Sequence, residues 1–110
     1  MDDKSNYEKS VEKIFEVISK TIKEKHSEYA TNDDYHNFRS SSILLNETIP
    51  EAIVGMMVKH TISIYDMVCE YAKGANFEFE KWEEKIKDHI IYLINLYCYL
   101  DEENKNEKNK

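Results

Sequence analysis

The stretch that most constrains this chain runs from Trp82 to Leu100, WEEKIKDHIIYLINLYCYL. Ile86, Ile90, Leu93, Tyr97 and Leu100 recur at steps of four, three, four and three, one continuous stripe of a 3.6-residue period. That stripe is expected to face a core. Ile91, Tyr92, Ile94, Leu96, Cys98 and Tyr99 fill the other directions, so Asn95 is the sole polar residue in 90–100. A helix apolar all round has to be covered on nearly every side. A chain of 110 residues cannot easily wrap one helix completely, so part of the cover is expected from a second copy, in a homo-oligomer of at least two chains.

Three other helices are predicted. Ser5 with Glu8, and Thr48 with Glu51, have the spacing of capping boxes, in which each side chain satisfies a backbone group of the first turn. The first opens a helix with the stripe Tyr7, Val11, Ile14, Phe15, Ile18 and Ile22, running toward Lys25 or Tyr29 and giving way to a polar turn at 30–34. The second opens a helix with Pro50 in its first turn. Its main stripe is Ile53, Met57, His60, Ile64, Met67 and Tyr71, and it ends near Gly74. Gly55 suggests a close helix approach. Between the two lies a short helix with Tyr35, Phe38 and Leu45 as its apolar positions, weakened by Ser40, Ser41 and Ser42. The fold class is all-α, an antiparallel bundle of about four helices in a single domain over 1–100. Residues 101–110, DEENKNEKNK, contain no apolar side chain and are expected to be a flexible charged tail.

Charge narrows the partners. With 22 acidic against 15 basic side chains the net charge is -7, and Arg39 is the only arginine, so general binding to DNA is not expected. Cys69 and Cys98 lack zinc-type spacing and suit buried thiols in a reducing compartment, although a disulfide stays open. The first residues are charged at once and the apolar runs are shorter than the roughly 20 residues that span a bilayer. A cytoplasmic protein with no membrane partner is expected. Gly55 and Gly74 are the only glycines, which excludes the Gly-rich phosphate loops.

The chemistry-bearing residues are acids on helices. Glu80, Glu84 and Asp88 follow at i, i+4 and i+8 along one edge. The plain reading of such an edge is that the helix meets water there. Asp88, however, lies between Ile86 and Ile90, where an acid needs a cation, a hydrogen-bond network or a metal. On the preceding helix Lys59, Ser63, Asp66 and Glu70 form a polar seam, so Asp66 joins Glu84 and Asp88 as a candidate ligand for Mg²⁺, a cation that prefers carboxylate oxygen. His60 and His89 sit on apolar stripes, as satisfied core residues or as ligands. Lys59, His60 and Arg39 are the candidate phosphate-binding residues.

Several segments taken in order resemble the small phage and prophage proteins of the MazG-like, all-α nucleotide pyrophosphohydrolase group. They are Lys25-His26-Ser27-Glu28-Tyr29 before an acidic loop, Asn37-Phe38-Arg39 in a short helix, the run GMMVKHTISIYDM from Gly55 to Met67, and Glu84-Lys85-Ile86-Lys87-Asp88-His89. The resemblance covers most of residues 22–100. It implies a dimeric or tetrameric helical bundle, with Mg²⁺ on helix-borne acids and a nucleotide between subunits in a bacterial host cell. Catalytic members of the group carry two acidic pairs. Glu84 and Asp88 match the later pair, whereas the earlier pair has no clear counterpart. Two readings therefore stand side by side. One is a nucleotide-binding protein with Mg²⁺-dependent pyrophosphohydrolase activity. The other is a non-enzymatic anti-defence protein that sequesters a signalling nucleotide or blocks a host protein complex.

Overall fold

In the computed structural model, which describes residues 3–28 and 33–108, the chain forms, among the described residues, four helices and no strand. They are α1 (Asn6–Glu28), α2 (His36–Leu45), α3 (Ile49–Ala72) and α4 (Phe79–Lys108). The all-α class and the helix count follow the sequence reading. The local signals also hold. The Glu8 amide donates to Ser5 Oγ at 3.1 Å. At Thr48 the box is reciprocal: the Glu51 amide donates to Thr48 Oγ1 at 3.2 Å and the Thr48 amide to Glu51 Oε1 at 3.0 Å. Gly74, at φ 101°, closes α3 in the left-handed conformation. The Gly74 and Ala75 amides donate to the carbonyls of Tyr71 and Glu70.

The frame is a hairpin of α3 and α4. Thr61 meets His89 and Tyr71 meets Trp82, so these two helices run antiparallel. Helix α2 packs on α3, and α1 packs on α4 alone. Lys13 reaches Glu83 and the Phe79 ring, while Ile22 shares a groove with Ile91 and Ile94, so α1 ascends in the same direction as α4. The expected antiparallel arrangement thus describes α3 with α4 but not α1 with α4.

The core lies where α2, α3 and α4 converge. Tyr35, Phe38, Ile49, Ala52 and Ile53 are buried together, with Met56, Tyr92, Leu96 and Tyr99 packed against them. Two aromatic contacts bind α2 and the residue before it to α4: Phe38 meets the Tyr92 ring edge-on at 5.9 Å, and Tyr35 meets Tyr99 at 5.5 Å.

Five details differ from the sequence reading. The α4 stripe of Ile86, Leu93, Tyr97 and Leu100 faces outward, from 39% to 70% exposed, and Ile91 is the buried residue of α4. A helix apolar on all sides lets periodicity alone select more than one face, and the packing of α2 and α3 selects the one bearing Tyr92, Leu96 and Tyr99. On α1, Tyr7 and Phe15 are exposed because a single neighbouring helix contacts only a narrow line, centred on Ile18. Leu45 is exposed at the end of α2, and nothing lies within 4 Å of a Cβ built on Gly55, which therefore serves no close approach. The helix also continues past Leu100 to Lys108. Lys105 pairs with Asp101 one turn away at 3.0 Å, and Glu102 lies near the Tyr35 phenol. Burial, followed by the Glu102 carboxylate, pushes the Tyr35 phenol above its ordinary range.

Candidate functional site

All four helices and the segment before α2 contribute to a cleft of about 400 Å³. Its floor is aromatic and apolar: Phe38 from α2, Met56 from α3, Ile91 and Tyr92 from α4. Its walls are polar: Lys25 from the end of α1, Asp34 from the segment before α2, His36 and Asn37 from the start of α2, His60 from α3, and Asp88 and Asn95 from α4. The register explains this gathering. Asp88, Tyr92 and Asn95 recur at steps of four and three, on the face of α4 between α1 and α3. The antiparallel pairing then sets His60 beside Tyr92, with ring centroids 5.0 Å apart.

The rim is held by polar contacts that start α2. Asp33 accepts from the Tyr35 amide at 3.0 Å and from Arg39 Nε at 2.8 Å, and His26 Nδ1 lies 2.7 Å from Asp34 Oδ1. The Arg39 guanidinium holds the Asp33 carboxyl below its ordinary value. Arg39 therefore braces the turn entering α2 and does not line the cleft.

Of the other predicted site residues, His60 and Asp88 come together in the cleft, whereas Lys59 is exposed outside it. Asp66 lines a separate groove of about 230 Å³ with Ser63, Glu70, Lys81 and Lys85, and Glu84 is exposed and lines neither. The seam of α3 acids thus faces lysines of α4. Among the described residues no three His, Cys, Asp or Glu side chains gather as a metal-binding group. Asp88 itself lies 3.7 Å from Lys87 Nζ. His89 is satisfied through Nε2, 2.8 Å from Thr61 Oγ1, as a packing histidine would be. Both cysteines are free, and Cys98 is exposed where the sequence suggests a buried thiol.

Sequence alone does not mark Lys25, His36, Asn37, Tyr92 or Asn95 as site residues. Asn95 carries a usable signal, as the one polar side chain in an apolar run. The others meet only through the tertiary packing of helix ends.

Burial lowers the His60 pKa from its ordinary 6.5; Asp88 opposes the shift, and Lys59, Lys85 and His89 reinforce it. The imidazole is therefore neutral at pH 7, able to donate from one nitrogen and accept at the other. The unfolded chain binds a proton on this side chain at higher pH than the folded one does. Stability carried by neutral His60 is thus fully present above about pH 6.5 and is lost as pH falls through the depressed folded value. Urea unfolding at pH 7.5 and 5.0 should show a smaller loss in His60→Gln than in the wild type. An equal loss in both would mean that His60 is not the coupled group.

Comparison with protein-family models, with curated proteins and with solved structures finds no match for this chain. Among the described residues α3 is the one helix long and apolar enough to cross a membrane, with mean hydropathy 1.2 over its most apolar window.

Proposed function

We propose that the chain is a nucleotide-binding helical protein whose ligand occupies the cleft between Lys25, His60 and Asn95. The observation that carries this reading is the pairing of an aromatic floor with amide walls. Tyr92 and His60 offer ring faces for a base, and stacking on an aromatic side chain is worth about 1–3 kcal/mol per base. Asn37 and Asn95 each present donors and an acceptor, the complement of a base edge, and Lys25 brings the positive charge suited to phosphate. The cleft volume is within the range of small-molecule sites. The resemblance to the MazG-like group points to the same ligand class.

Hydrolysis has less support than binding. The proposed Mg²⁺ ligands Asp66, Glu84 and Asp88 do not converge within one chain: Asp66 and Asp88 line different grooves, and Glu84 lines neither. This favours sequestration of a nucleotide over its cleavage, the non-enzymatic reading, in which capture alone is the function. Blocking a host protein complex is the rival within that reading.

Calorimetric titration with a panel of nucleoside mono-, di- and triphosphates, with and without Mg²⁺, tests the proposal. The wild type should bind at least one of them, and Asn95→Ala should weaken binding about tenfold, as loss of one buried hydrogen bond implies. Asp88→Asn should remove any Mg²⁺-dependent part of the affinity, since an amide is a poorer ligand for a hard cation. Heat signals absent for every nucleotide at millimolar concentration would sink the nucleotide reading and leave a protein-binding role.

A further inference from the structure

The hairpin of α3 and α4 has two faces. One carries the cleft and is covered by α1 and α2. The other is bare. On it lie Val54, Val58 and Tyr65 of α3 and Ile86, Leu93 and Tyr97 of α4, each between 39% and 70% exposed. Helical spacing puts the two sets on the same side. Thr61 and His89, joined at 2.8 Å, mark the seam between the helices on that side, and the six residues flank it. Ile62, Val68 and Leu100, all at least half exposed, extend the same surface. No Asp, Glu, Lys or Arg occupies positions 54, 58, 61, 62, 65, 68, 86, 89, 90, 93, 97 or 100.

Area argues for a large occupant. The single chain exposes 8579 Å², whereas a compact monomer of this mass exposes about 6,400 Å². Its radius of gyration, 17.1 Å, likewise exceeds the roughly 13 Å of a compact domain of this length. The excess is roughly 2,200 Å² per chain, or roughly 4,400 Å² for a pair, within the range of obligate homodimers.

We infer that this face is the contact between two copies of the chain, related by a twofold axis, so that two α3/α4 hairpins close into a four-helix bundle. A twofold contact must be self-complementary, and an uncharged apolar face is complementary to itself. Charge favours a second copy in another way: two chains of net charge -7 repel at their charged surfaces, and this is a broad face free of charge. The bundle would cover Leu93 and Tyr97 while leaving each cleft open on the opposite side of its hairpin. The inference therefore stands apart from what the cleft binds.

Sedimentation equilibrium from about 1 to 100 μM tests it by mass, with no nucleotide present. The wild type should have twice the mass of the chain. Leu93→Ala should raise the dimer dissociation constant about tenfold, while Ile43→Ala, also an exposed apolar residue but on α2, should leave it unchanged. Val58→Glu with Leu93→Glu should give monomers. Should that double variant lose its helical circular dichroism, Leu93→Ala, which only shortens an exposed side chain, still decides. A monomeric wild type would overturn the inference, as would a dimer indifferent to Leu93→Ala. So would a wild type that floats with phosphatidylcholine vesicles as a monomer, which would assign the apolar face to lipid.

Discussion

Ile53→Ala is expected to destabilise the protein by about 3 kcal/mol, within the usual range for removing a buried isoleucine side chain. Ile53 is fully buried, at 0% exposure, beside Ala52 at 1%, at the point where α2, α3 and α4 meet. The substitution leaves a cavity that three helices cannot close together, because Tyr35 and Phe38 on one side and Tyr99 and Tyr92 on the other are fixed by their ring contacts with one another. Against a total stability of about 5–15 kcal/mol for an ordinary domain, such a loss is a large share. Urea unfolding followed by circular dichroism, at one fixed protein concentration, measures it. The concentration has to be fixed because association of the folded chain would add to apparent stability. A loss below about 1 kcal/mol would mean that the chain does not converge on Ile53.

What can be read from sequence is what is local in the chain. Ser5, Thr48, Pro50 and Gly74 act within a few residues of themselves, so their spacing carries the helix ends in full. The existence of α4 is equally legible, but its orientation is not. Tyr92 faces α2 and Leu93 faces outward, yet both fit a 3.6-residue period drawn through so apolar a helix. The end of α4 is hidden for a related reason. Residues 101–108 have no apolar pattern, and the approach of Glu102 to Tyr35 joins positions far apart in sequence.

The candidate site divides in the same way. His60 and Asp88 are conspicuous as polar side chains on apolar stripes, and both line the cleft. Asp66 belongs to a seam with a clear period, but the period does not say what the seam faces. Antiparallel pairing of α3 with α4 sets it against Lys81 and Lys85. Lys25, His36 and Asn37 come from two helix ends, and residues 29–32 between them lie outside the described part of the chain. Their meeting with α4 is a product of packing and has no signature in any one segment.

Phe38 links that packing to the cleft, and its replacement is expected to have the other large effect. The side chain is 8% exposed, belongs to the core cluster, and lies edge-on to Tyr92 while lining the cleft. Phe38→Ala should cost about 3–5 kcal/mol, the usual range for deleting a buried phenylalanine ring. Phe38→Leu keeps much of the volume and should cost less than about 1.5 kcal/mol, so the fold survives for a second measurement. The ring contact itself is worth about 1 kcal/mol beyond area, which a double-mutant cycle of Phe38→Leu with Tyr92→Leu isolates as a coupling energy. If a nucleotide base stacks on Tyr92, Phe38→Leu should also weaken its binding several-fold, because the ring that receives the base loses the edge that orients it. A coupling near zero would show that the two rings do not support each other. Normal coupling with unchanged ligand affinity would move the base away from Tyr92, toward the His60 side of the cleft.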